Sequence, residues 1–257
     1  MLSLLMISIS AVIITKNEER NIGRCIDSLQ GVADEIIVVD SFSTDKTAEI
    51  CREKGVIFLQ TEWKGFAATK NWGNAQAKHD FILSLDADEA LSPALQKALL
   101  QIKRNSQADG YILNRITNYC GNWIRYGHWY PDKHLRLWNK QKGEWQGYIH
   151  EKVVMLPSAK IVEIKNADLE HYSFPTISSH ITKIDFFTTM TAQNDFRKGK
   201  KAAWWRIIFS PIWLFLVSYI FRLGFLEGWQ GLAIAVISAF STFVKYLKIK
   251  EMHQKQS

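Results

Sequence analysis

Three sets of acidic side chains fall where this 257-residue chain could use them on a charged ligand. Asp86-Ala87-Asp88 follows directly on the apolar run 81–85, Asp40 ends the run 35–40, and Glu18 and Glu19 follow the run 7–15. Two aspartates one residue apart supply hard oxygen ligands that hold Mg²⁺ or Mn²⁺ loosely, leaving coordination positions for a substrate diphosphate. A lone Asp-x-Asp is equally at home in a solvated turn. Its position at a buried strand end, with Asp40 at a second such end, favours chemistry, because open parallel sheets collect their ligands at the carboxyl ends of strands. The chain has neither a Walker lysine loop nor a G-x-G-x-x-G, which disfavours P-loop NTPases and dinucleotide enzymes.

The elements that must carry these carboxylates alternate regularly over the first hundred residues. Continuous, β-branched apolar runs at 7–15 and 35–40 read as strands buried on both faces, with shorter strands at 56–59 and 81–85. Helices are expected over 18–29, with Asn17 as cap and Gly31 as stop, over 44–54 and 65–78, and over 93–103 with Pro93 in the first turn. Strands alternating with helices at this spacing argue for a mostly parallel, doubly wound sheet. Beyond Gly110 the rhythm changes to strands at 111–116, 134–138, 153–156 and 161–165. A loop holding Asn118, Trp123, Tyr126, His128, Trp129 and Tyr130 lies among them. Those aromatics fit packing and ligand contact equally well. From Thr176 the pattern is helical.

The ordered motifs Ile-Thr-Lys-Asn-Glu-Glu (14–19), Ile-Val-Val-Asp-Ser-Phe-Ser-Thr-Asp-Lys-Thr (37–47) and Leu-Asp-Ala-Asp-Glu (85–89) resemble family 2 glycosyltransferases of the GT-A fold. The chain is most similar to the lipopolysaccharide core β-glucosyltransferase-like branch, where the pattern continues with Arg-Leu-Trp (136–138), His-Glu (150–151) and His-Tyr-Ser (171–173). The resemblance covers about residues 7–250. It implies an α/β, Rossmann-like GT-A nucleotide-diphospho-sugar transferase fold with a mostly parallel sheet. The catalytic domain would occupy residues 1–175, divided into a nucleotide-sugar half (1–110) and an acceptor half (111–175), with a helical, membrane-associating extension over 176–257.

The resemblance also implies roles. Thr15, Asn17 and Glu18 border the nucleotide, Asp40 contacts the base, and Lys70 and Asn71 edge the same pocket. Asp86 touches the ribose or the metal, Asp88 ligates Mg²⁺ or Mn²⁺ directly, and His171 completes the metal–diphosphate site, unless it is simply a hydrogen-bonded loop histidine. Trp129, Arg136 and His150 are the expected acceptor-side residues. Glu151 is the expected general base, with Asp132 and Glu89 as competitors; many members carry a Glu-Asp pair where this chain has His150-Glu151. The implied reaction is a single inverting displacement at the anomeric carbon of a nucleotide hexose, UDP-glucose being the family's suggestion. The acceptor would be lipid-borne: a lipopolysaccharide inner core first, a polyprenyl-diphosphate-linked glycan second.

Composition bounds the partners. With 47% hydrophobic and 22% charged residues, wholesale disorder and a polytopic membrane protein are both disfavoured. The net charge of +7 is unevenly placed: residues 196–257 hold ten Lys/Arg and two Asp/Glu (+8), and residues 1–195 the remaining 22 and 23 (−1). A near-neutral body with a basic, aromatic, apolar tail points to a phospholipid surface before nucleic acid. The uncharged runs 207–221 and 228–244 fall short of the roughly 20 residues that span a bilayer comfortably. An interfacial or re-entrant attachment through 200–250 is therefore expected first, a spanning hairpin second, and a homo-oligomer interface third. The lysines would face anionic lipid on the cytoplasmic side of the inner membrane. Three scattered cysteines form no CxxC and suggest thiols of a reducing compartment, and the apolar residues 1–6 lack the basic flank of a signal peptide. Two other classes are consistent with parts of the pattern: a sugar nucleotidyltransferase, which should carry a glycine-rich loop after its first strand, and a non-catalytic membrane scaffold.

Overall fold

The computed structural model describes residues 6–147 and 151–255. The chain divides into two compact units, one of Met1–Arg115 with Asp132–Tyr172 and one of Ile116–Pro131 with Ser173–Ser257. Residues 116–131, expected within the acceptor half, thus group with the helical region.

In the first unit β1 (Ile9–Thr15) is buried along its whole length, as its unbroken β-branched run requires. It pairs in parallel with β2 (Glu35–Asp40) on one side and β4 (Phe81–Asp86) on the other, and β2 pairs in parallel with β3 (Ile57–Gln60). The register sets Thr15 beside Asp40 and Ile14 beside Asp86, so both aspartates reach the same end of the sheet. Alternation along β1 splits the core. Ile9, Ala11 and Ile13 pack with α1 (Ile22–Leu29) and α4 (Pro93–Arg104), while Val12 and Ile14 face the side of α3 (Phe66–Gln76). Gly73 lets α3 lie close: a Cβ there would come within 2.8 Å of Val12 Cγ1 and Val39 Cγ2. On the far side of β4 the sheet turns antiparallel through β8 (Asp132–Asn139) and β6 (Gly110–Tyr119), then continues to β11 (Ile161–Phe174) and β5 (Glu89–Leu91). A short β7 (Asn122–Trp123) pairs with β6, and β9 (Gly143–Gln146) with β10 (Lys152–Met155) makes a separate hairpin.

Two helix starts fall later than the sequence suggests, for one reason. Asn17 is not a cap: it sits at φ +55, donates its N–H to Ser43 Oγ at 2.8 Å and accepts the Thr44 N–H at 2.8 Å. The Asp45 carboxylate accepts from Thr47 N and Oγ1 and from Glu19 N, forming a side-chain turn that delays α2 to Thr47–Glu53. Polar side chains therefore zip the β1–α1 loop to the β2–α2 loop instead of capping helices.

In the second unit Thr176 caps α5 (Ile177–Arg197) in a reciprocal box with Ser179. α6 (Trp204–Phe215) carries Pro211 inside it and passes through a widened turn, Leu216–Phe221, before a short 3₁₀ turn and α7 (Gly228–Gln254). α7 packs on both α5 and α6. An aromatic cluster of Tyr119, Trp129, Phe174 and His180 fills this unit's interior, with Trp129 stacked on Phe174 at 5.1 Å. Among the described residues Cys25, Cys51 and Cys120 are all free thiols.

Candidate active site

The carboxyl end of the first unit's sheet gathers most of the expected residues. At its β1–β2 edge Thr15 is buried with Oγ1 lacking a hydrogen-bond partner among the described residues. The Glu18 backbone N–H donates to Thr47 Oγ1 at 2.9 Å. Asp40 is fully buried, and its carboxylate accepts from Ser43 N and Gln60 Nε2, both at 2.9 Å, and from the Ser43 hydroxyl. It braces the loop that would border a nucleotide, so any base contact must come through that braced loop or displace one of these donors.

The β4 edge carries a chain of alternating charges. Lys70, on α3 and 1% exposed, lies 3.0 Å from Asp86 Oδ1 and donates to Glu151 Oε1 at 3.1 Å, with its ammonium 4.4 Å from the Trp145 ring. Next to it, Asn71 clamps β9 by exchanging two hydrogen bonds with the Trp145 backbone, at 2.8 and 3.0 Å. Arg136 on β8 reaches Asp86 Oδ2 at 3.1 Å and Glu89 Oε1 at 2.6 Å. Arg115 on β6 reaches Glu89 at 3.1 Å and Asp132 at 2.7 Å, and Asp132 also faces His134 Nε2 at 2.7 Å. Burial alone would raise the Asp86 carboxyl, but Lys70 and Arg136 hold it well below the usual carboxylate range. The Asp132 carboxyl is held low in the same way, against burial, by His134 and Arg115.

These pairings assign positions. Glu89 has a fully buried side chain and accepts from two guanidiniums through Oε1 and from the Asp86 N–H at 2.9 Å through Oε2; with both oxygens engaged and out of reach of solvent, it is poorly placed to take a substrate proton. Asp132, tied to Arg115 and His134, is a poor proton acceptor for the same reason. Glu151 is half-buried beside Lys70, which leaves it the best placed of the three candidate bases. Arg136 is nearly fully buried behind Asp86 and Glu89, so it positions carboxylates rather than presenting itself to an acceptor. Trp129 belongs to the interior of the second unit, and His150 lies outside the described residues.

Asp88 and His171 meet because β5 pairs with β11, setting Glu89 opposite His171 and letting Tyr172 N donate to Asp88 O at 2.8 Å. The Asp88 Oδ2 to His171 Nε2 separation is 3.3 Å. Two donors on adjacent positions of an octahedral Mg²⁺ or Mn²⁺ stand about 3 Å apart, so this oxygen–nitrogen pair fits a divalent cation. Among the described residues no group of three or more His, Cys, Asp or Glu side chains that could hold a metal ion forms. Nearby, burial and the Glu89, Asp88 and Asp86 charges push the Cys25 thiol up, so it is inert. Sequence reasoning missed Arg115, Trp145 and the linking role of Glu89. The signal for the arginine was a charge among the apolar residues of β6.

The model of the family described as "Glycosyl transferase family 2" matches residues 10–159. A glycosyltransferase of Rickettsia bellii is 34% identical over 98% of this chain and 89% of its own length. The lipopolysaccharide core biosynthesis glycosyltransferase LpsC of Rhizobium meliloti is 30% identical over 95% of this chain and 93% of its own. Among solved structures, the mannosyltransferase PcManGT of Pyrobaculum calidifontis, in complex with GDP-Man and Mn²⁺, superposes with a TM-score of 0.56 at 15% identity, covering 95% of this chain and 88% of that one.

Proposed function

The chain belongs to glycosyltransferase family 2, has the GT-A fold and is a glycosyltransferase, and from that premise we propose that it moves a hexose, with inversion, from a nucleotide sugar to a membrane-borne glycolipid. Membership in the family sets aside the nucleotidyltransferase and the non-catalytic scaffold. A lipopolysaccharide inner core is the proposed acceptor; the similarity along nearly the whole chain to LpsC, a lipopolysaccharide core biosynthesis glycosyltransferase, supports the core as its class, while UDP-glucose is proposed as donor on the sequence motifs alone. A polyprenyl-linked glycan is the second acceptor. The proposed location is the cytoplasmic face of the inner membrane.

The observation that carries the chemistry is the pair of Asp88 and His171 at 3.3 Å, on the same sheet end as Asp86, Lys70 and Glu151. Bound there, Mg²⁺ or Mn²⁺ would neutralise the donor diphosphate and improve it as a leaving group. The braced 15–19 and 40–47 loops form the nucleotide edge, Lys70 and Asn71 on α3 border the same pocket, and Asp86 faces the ribose. Lys70 orients Glu151, whose free oxygen takes the proton from the acceptor hydroxyl as that oxygen attacks the anomeric carbon from the face opposite the diphosphate.

The experiment is a donor screen by nucleotide release with membrane lipid extract, run on the native chain and two variants. Asp88→Ala should abolish metal-dependent release while leaving the unfolding midpoint unchanged; full activity there would remove the metal assignment. Glu151→Gln should lower kcat by about 10²–10⁴-fold with little change in donor KM. A product that retains the donor's anomeric configuration would exclude the single displacement.

A further inference from the structure

The second unit leaves two long apolar helix faces exposed. Trp204, Ile208 and Ile212, with Trp205, Phe209 and Trp213 beside them, recur every fourth residue along α6, and all are exposed. On α7 the exposed Leu232, Val236, Phe240, Phe243 and Leu247 recur at spacings of four and three, a single helical face. The core helix of a soluble domain is mostly covered, yet only 11% and 17% of the most apolar windows of Trp204–Phe221 and Gly224–Gln254 are buried. Cations sit on the aromatics at the margins: Lys250 lies 3.4 Å from the Trp204 ring centre, Lys245 4.4 Å from that of Tyr246, and Arg206 5.1 Å from that of Trp205. Aromatic and aliphatic faces edged by snorkelling cations match the headgroup layer of an anionic bilayer.

Polar ties decide how the two helices meet that layer. At the hairpin tip Glu227 Oε1 accepts the N–H groups of Arg125 and Tyr126 at 2.6 and 2.8 Å, Arg222 O accepts from Gly127 N at 2.8 Å, and Ser218 Oγ meets His128 Nδ1 at 2.7 Å. At the other end Lys248 donates to Asp185, Thr188 and Thr189 on α5 at 2.8, 2.9 and 2.6 Å, and His253 meets Lys200 O at 3.0 Å. A hairpin driven across the bilayer would carry Glu227 and the 125–128 backbone through hydrocarbon, where each unmatched polar group costs several kcal/mol. By length and composition both Trp204–Phe221, with 18 residues, and Gly224–Gln254, with 31, could cross a bilayer, so it is these polar ties and not length that argue against a spanning hairpin.

We propose that α6 and α7 form a monotopic membrane-docking surface: they lie in the plane of one leaflet of an anionic phospholipid bilayer, stripes toward the acyl chains, with the hairpin tip and the C-terminal end of α7 on the same side. This deepens, and rests on, the membrane-borne acceptor read above.

The test uses the full chain with Cys120→Ser and a reporter at the exposed tip, Arg222→Cys, added to sealed phosphatidylglycerol/phosphatidylcholine vesicles. Flotation should follow the anionic lipid, and an impermeant maleimide added outside should label the tip as it does the free protein. Labelling that requires detergent places the tip across or within the bilayer and overturns the proposal. Equal flotation with neutral vesicles overturns its anionic component. Phe240→Glu or Trp213→Glu should weaken flotation by about tenfold or more without changing the size of the protein in solution. Unchanged flotation, or conversion of a dimer into a monomer by these variants, overturns the docking surface in favour of another occupant. No readout here needs donor or acceptor, so a chain that floats but releases no nucleotide faults the reaction assignment and leaves the docking surface standing.

Discussion

Glu89 governs the site without facing it. Its carboxylate takes Arg136, Arg115 and the Asp86 N–H together in a fully buried position, so it braces the Asp86-Ala87-Asp88 turn and bridges two guanidiniums that Asp86 and Asp132 also face. Glu89→Gln would leave a donor facing a donor and remove the charge shared by Arg136 and Arg115, and removing one partner of a buried pair costs about 3–5 kcal/mol. The gentler change is Glu89→Asp, which keeps the charge and shortens the reach by one methylene. Because a displacement near 1 Å can cost about 10²-fold in rate, Glu89→Asp should lower kcat on that order while the unfolding midpoint moves far less than in Glu89→Gln. Wild-type kcat in Glu89→Asp would show that the turn does not depend on this residue. None of these pairings was visible in the sequence, where Arg115 stands 26 residues from Glu89, Arg136 stands 47 from it, and Glu151 stands 81 from Lys70. Charge complementarity has no period along a chain, and only a folded sheet brings such residues together.

At the scale of elements the reverse holds. The strand 35–40 reads from sequence with the bounds it has in the structure, and β1, β4 and α4 differ by a residue or two, because long apolar periodicity is written locally. The elements that escaped are short: β5, three residues long, β7, two, and β9, four, carry too few side chains to show alternation. Yet β5 is the strand that registers Glu89 against His171. The late start of α2 escaped because Asp45 hydrogen bonds redirect the backbone, which propensity alone does not register. α3 is where packing controls the site, since it bears Lys70 and Asn71 and depends on Gly73 to approach β1 and β2. Gly73→Ala would place Cβ at 2.8 Å from two buried valines, and overpacking of this kind costs about 1–3 kcal/mol. The midpoint should fall by roughly 2–12 °C, and donor KM should rise because Lys70 and Asn71 move with the helix. Adding Val39→Ala should return part of both losses; a rise in KM that survives the relief of packing would place the defect elsewhere.

Across the whole molecule the two units carry different titratable liabilities. In the second unit burial, with Arg222 nearby, lowers the His128 imidazole to about 4, and burial, with Lys183 and His128, lowers His180 to about 4. Both are below the ordinary histidine value near 6.5, so the unfolded chain binds more protons than the folded one between roughly pH 4 and 6.5. The stabilisation from keeping these rings neutral is complete above about pH 6.5 and is lost as the pH falls through that window. The first unit's Asp86 and Asp132 are also held below their ordinary values, but for carboxylates the window begins near pH 4 and extends downward. Acidification from pH 7 to 5 should therefore loosen the second unit while the first keeps its packing. Limited proteolysis at graded urea, with cleavage sites mapped at each pH, would show residues 173–255 becoming susceptible at lower urea at pH 5 than at pH 7, with sites in 6–115 unchanged. Replacing both histidines with asparagine, which cannot titrate, should lower stability at pH 7 and flatten its dependence between pH 4 and 6.5. A double variant with the native slope over that range would mean that other groups carry the proton uptake.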